Sequence, residues 1–94
     1  MLDANSVVII NNSNQQISYE LKQKLEAPWQ TQSLDAQHKN TYSIDPGNTL
    51  YIRVCTGEVS DENCVVYQLE KLKRYQVYWN QAMQRWDVAE IKEQ

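Results

Sequence analysis

The sequence predicts an all-β fold, a small antiparallel β-sandwich or closed barrel of about seven or eight short strands. Three observations lead there. Apolar and polar residues alternate with a period of two through most of the chain, which is the pattern of half-buried strands. Turn-forming residues recur at short intervals, near Ser13, Pro46, Ser60 and Gln81. The large rings are six Tyr and three Trp with no Phe, so each carries a polar group and suits a thin core whose rings reach the boundary with water. At 94 residues, 41% of them hydrophobic, the chain has material for one core, and residues 1–94 read as one soluble domain.

The first element is expected to be a hairpin over residues 7–21, because two strand-like runs flank Asn11-Asn12-Ser13-Asn14-Gln15. Folding about Ser13 sets Ile9 opposite Ile17 and Val7 opposite Tyr19. Val8 and Ile10 then point away and need cover. Residues 25–40 are the least regular, with Pro28 disfavouring helix at Ala27; a short edge strand is read near Trp29 to Leu34. Tyr42 and Ile44 alternate with Thr41 and Ser43 up to Asp45-Pro46-Gly47-Asn48, where Pro in the second place and Gly in the third specify a type II turn.

From Leu50 to Leu69 one register makes the pattern internally consistent. Setting Cys55 opposite Cys64 aligns Val54 with Val65, Ile52 with Tyr67 and Leu50 with Leu69 on a single face. Tyr51, Gln68, Arg53, Val66 and both cysteines occupy the other. The register brings the two thiols together without assuming a bond, so a Cys55–Cys64 disulfide is expected. That in turn points to an oxidising setting, secreted or periplasmic, whereas reduced cysteines would mean cytoplasm.

The C-terminal third carries two periodicities. A helical spacing links Val65, Leu69, Leu72, Gln76, Trp79, Met83 and Trp86, but it must bury Gln76. The strand reading pairs Val77 with Val88 and Trp79 with Trp86 around a loop at residues 80–85, and it buries only apolar residues over those pairs; strands are therefore expected. The shared inward face comprises Ile9, Tyr19, Ile52, Val54, Val65, Leu69, Val77 and Val88. Trp79 and Trp86 are expected to close one end of that core.

Composition removes several functions. A net charge of −3 offers no attraction to nucleic acid or anionic lipid, and Lys71, Lys73 and Arg74 read as a solvated turn. No apolar run is long enough for a membrane span. Two glycines exclude a Gly-rich phosphate cradle. The single histidine, His38, lies in a polar stretch read as loop, and the cysteines are explained by each other, so no catalytic set and no enzyme activity is expected. No metal site or cofactor is expected either, since two Cys and one His fall short of a zinc set and Glu58, Asp61 and Glu62 lack the spacing of a calcium loop. Asn11-Asn12-Ser13 matches a glycosylation sequon of low specificity.

What remains is a non-catalytic interaction module that presents a sheet face or loops to a protein partner. The alternative is a carbohydrate-binding module using exposed Tyr or Trp. For either ligand the candidate binding residues are Tyr51, Tyr78 and Trp29, because rigid aromatics on a sheet anchor protein partners and stack on sugar rings alike.

Overall fold

A computed structural model describes residues 4–92. Eight strands follow one another: β1 (Ser6–Asn11), β2 (Ile17–Lys22), β3 (Gln30–Leu34), β4 (His38–Ser43), β5 (Leu50–Cys55), β6 (Cys64–Leu69), β7 (Arg74–Asn80) and β8 (Arg85–Ile91). They form two four-stranded sheets, one in the order β4-β1-β7-β8 and the other β3-β2-β5-β6. The molecule is therefore a sandwich, and the closed-barrel alternative falls. The competing helical spacing over residues 65–86 is not used; β6, β7 and β8 are strands, as expected.

The two late hairpins have the registers anticipated from their residues. Cys55 pairs with Cys64, Val54 with Val65, Ile52 with Tyr67 and Leu50 with Leu69. Val77 pairs with Val88 and Trp79 with Trp86. The Pro46-Gly47 turn also forms as expected: Gly47 adopts φ 81°, which favours a residue without Cβ, and Asn48 N donates to Asp45 O at 3.0 Å.

The first hairpin is not a hairpin. β1 pairs antiparallel with β4 and parallel with β7, whereas β2 lies in the other sheet between β3 and β5. The connecting residues 12–16 thus arch from one layer to the other, and Ile9 and Ile17 enter the core from opposite sheets. The arch is held by Asn11, which is fully buried. Its Nδ2 donates to the carbonyl oxygens of Gln15, Leu34 and Asp35 at 2.9, 3.0 and 3.1 Å, and its Oδ1 accepts from Ser13 N at 2.9 Å. Both donor and acceptor capacity of the amide are used, which is what makes a buried Asn tolerable. The same burial makes Asn11 unsuitable as a glycan acceptor, so the sequon is only a letter match.

The core lies between the sheets and contains Val7, Ile9, Tyr19, Ile52, Val54, Leu69, Val77 and Val88 among its buried residues. Tyr19 and Tyr42 join the two layers through their hydroxyls and pack edge to face with centroids 6.4 Å apart. Burial first, and then this hydrogen bond, push the Tyr19 phenol up. Some expected core residues sit further out. Val65 and Trp86 are half-buried against the core, and Trp79 is 41% exposed; Tyr67, paired with Ile52 but outside the expected core, is 38% exposed on the edge strand β6. Val8, on the other face of β1, is nevertheless buried, flanked by Thr41 and Arg74 on the adjoining strands. His38, read as loop, begins β4 on the sheet edge.

Candidate functional site

Alternation along the second sheet sends Glu20 and Lys22 of β2, Tyr51 and Arg53 of β5, and Val66 and Gln68 of β6 to its outer face. Register makes them neighbours: Glu20 stands opposite Arg53 and Lys22 opposite Tyr51, with Val66 and Gln68 on the far side of β5. Trp29, immediately before β3, completes this face. Lys22 Nζ lies 4.4 Å from the centroid of its ring and Arg53 Cζ 4.8 Å, so two cations lie against the π-system of one indole.

Arg53 is also fixed from the other side. Its Nε and Nη2 donate to Glu20 Oε1 and Oε2 at 2.9 and 2.8 Å. A bidentate pair of this kind sets the plane of the guanidinium as well as its position. Lys22 is oriented by donation to Leu25 O at 2.9 Å. The face therefore carries a preset Trp29–Arg53 pair, with Tyr51 two residues from Arg53 on the same side of β5 and Val66, which is 55% exposed, bordering it.

Of the three binding residues expected from sequence, Trp29 and Tyr51 share this face and Tyr78 does not. Tyr78 belongs to β7 in the first sheet, paired with Asp87. Arg53 was overlooked as a binding residue. Its signal was its place beside Tyr51 on the polar side of β5, but its stacking depended on the position of Trp29, in the least regular part of the sequence.

A second polar cluster ties the sheets along the β6–β8 side. Tyr67 Oη donates to Asp87 Oδ1 at 2.8 Å, Val88 N donates to the same oxygen at 2.8 Å, and Asn80 Nδ2 donates to Asp87 Oδ2 at 3.1 Å. Burial pushes the Asp87 carboxyl up, but these three donors and nearby Arg85 outweigh it and hold the group below the usual carboxylate range. The hydrogen bond to Asp87, with burial second, pushes the Tyr67 phenol up. A carboxylate held ionised in this way is suited to structure and unsuited to donating a proton near neutral pH.

Other polar groups are equally engaged. Lys73 Nζ bridges Glu70 at 2.8 Å and Glu90 at 3.2 Å, and His38 Nδ1 lies 2.8 Å from Ala36 O. Among the described residues no three His, Cys, Asp or Glu side chains gather as a metal site. Cys55 and Cys64 are disulfide-bonded, which is compatible with an oxidising compartment. No helix among the described residues is long and apolar enough to cross a membrane.

A further aromatic group stands at the opposite end of β2 and β5 from Trp29. Trp79 and Trp86 pack edge to face with centroids 5.6 Å apart, beside a cleft shared with Ser13, Asn14 and Gln15 of the arch. Comparison of the chain with known protein families, curated proteins and solved structures finds no match.

Proposed function

We propose that the chain is a non-catalytic interaction module of a secreted or periplasmic setting that binds a protein partner through the outer face of its second sheet. The observation that carries this reading is the Trp29–Arg53 pair, with Tyr51 on the same face. Trp, Tyr and Arg are the residues that dominate interface hot spots. Here Arg53 is already oriented by Glu20 and stacked on Trp29, so little side-chain freedom remains to be lost on association. A sugar ring stacking on Trp29 would compete with Lys22 and Arg53 for the indole, which makes a protein surface the better occupant of this face.

Photo-crosslinking in the native compartment tests the proposal. A photoreactive residue at Gln68, on the outer face of the second sheet, should yield a discrete adduct with a partner protein, and the same group at Thr41, on the first sheet, should not. Trp29→Ala should weaken the purified complex by about 2 kcal/mol or more, roughly 30-fold in Kd. Equal adducts from both faces, or an affinity indifferent to Trp29, would remove the reading.

A further inference from the structure

We propose that the Trp79–Trp86 end of the sandwich is a second binding site, separate from the Trp29 face, and that its ligand is a neutral oligosaccharide. The cleft beside the two indoles has a volume of about 510 Å³ and is lined by Ser13, Asn14, Gln15, Trp79 and Trp86. An adjoining cleft of about 220 Å³ shares Gln15 and Trp86 and runs on past Gln16 and Ser18 to Cys55. The two adjoin at Gln15 and Trp86. The larger falls within the size range of small-ligand sites.

The chemistry of the lining selects the ligand. Neither cleft contains a charged residue, in contrast to the clefts at the other end of the molecule, which carry Lys22, Lys24 and Asp45 or Lys24 and Glu26. Charged ligands find no counter-ion there, and a nucleic acid strand, which needs cations along its backbone, is disfavoured. Aromatic rings beside neutral amides and hydroxyls match a molecule with apolar C–H faces and hydroxyl edges. That is the description of a sugar.

The larger cleft is also preformed. Asn11 clamps the arch from beneath through Gln15 O and Ser13 N, and Gln37 Nε2 donates to Asn12 O and Ser13 O at 2.8 and 2.9 Å. With the backbone thus committed, the side-chain amides of Asn14 and Gln15 face solvent and make no hydrogen bond among the described residues. Trp86 is held by the core and by donation of its backbone N to Thr56 Oγ1 at 2.9 Å. Trp79 leans on it and leaves 41% of its surface exposed. An exposed ring on a fixed base, beside free amides, loses little freedom when a ligand stacks on it.

The test is a titration of the full chain, labelled with nitrogen-15, with hexasaccharides of β-1,4-glucose, β-1,4-N-acetylglucosamine and α-1,4-glucose, each to about 10 mM, the range of weak specific binding. At least one should shift the indole N–H signals of Trp79 and Trp86 saturably while that of Trp29 stays in place. A highly sulfated hexasaccharide should have no effect. Trp79→Ala should weaken binding at least tenfold. Asn14→Ala with Gln15→Ala, both exposed positions whose replacement leaves the arch clamps intact, should do so severalfold, and Trp29→Ala should not. Absence of saturable shifts with all three sugars overturns the proposal, as does binding that moves Trp29 alone. A proline-rich peptide that saturates the same indoles when the sugars do not would also overturn it. Because Trp29 reports on the other face, failure here leaves the protein-partner reading standing, and the reverse holds.

Discussion

Two buried polar residues secure this sandwich at different places, and they do so by opposite means. Asn11 is neutral and holds the β1–β2 arch by serving backbone groups of the arch itself, at Ser13 and Gln15, and of Leu34 and Asp35 at the end of β3. Asp87 is charged and holds the β6–β8 side by drawing donors from Tyr67, Asn80 and its own neighbour Val88. One is a staple that pH does not touch; the other depends on an ionised group. Burial of polarity in a small sandwich is thus compatible with either device, provided that every lone pair and proton finds a partner.

The comparison can be broken most directly at Asn11. Asn11→Ala should cost roughly 2 to 4 kcal/mol in urea unfolding, since it strands several carbonyls and an amide in or near the core. A loss under about 1 kcal/mol would transfer the holding of the arch to Gln37. Next in size is the disulfide, which closes a short loop on the same side as Asp87. Reduction should remove about 2 to 3 kcal/mol and lower the Tm, while β-sheet circular dichroism persists because the Leu50–Leu69, Ile52–Tyr67 and Val54–Val65 pairs remain. Loss of the sheet signal on reduction would assign the hairpin to the bond instead of the ladder.

The smallest effect sharpens the contrast most. Asp87→Asn should cost about 1 to 2 kcal/mol at pH 7. Because folding lowers the pKa of this carboxyl from its ordinary value of 3.8, its contribution is fully present above that value and fades as pH falls through the lower folded value. The stability gap between wild type and Asp87→Asn should therefore close in acid, whereas the gap to Asn11→Ala should stay constant. A gap for Asp87→Asn that is independent of pH would mean that shape, and not charge, matters at that position.

The parts of this fold that could be read in advance are those where a strand pairs with its neighbour in sequence. β5 with β6 and β7 with β8 each offer two apolar runs whose registers must agree, and the cysteines or tryptophans at their ends admit one solution. β1 and β2 show the same alternation, yet period two states which face a residue takes and not which strand lies beside it. A hairpin and an arch present the same letters. Trp79 has the expected face but less burial than expected, since facing inward does not guarantee that the opposite sheet covers the ring. At the sites, Tyr51 and Trp29 were legible as aromatics, but their shared face with Arg53 was not. Asn14 and Gln15 read as turn formers alone until the arch carried them to the Trp79–Trp86 end.

The arch has a further consequence for how the chain reaches its native state. β1 carries four consecutive apolar residues, Val7 to Ile10, and among the described residues its strand partners are β4 and β7. During synthesis this segment emerges ahead of both, and five strands separate it from its parallel partner. Pairings so distant in sequence are slow to close, so the nascent chain carries an incompletely paired, apolar strand until β7 has emerged. The β5–β6 and β7–β8 hairpins, whose partners are adjacent, are placed to form the scaffold onto which β1 docks late. A chaperone that shields the first strand until β7 has emerged would therefore raise the yield of folded protein more than one acting on any later segment.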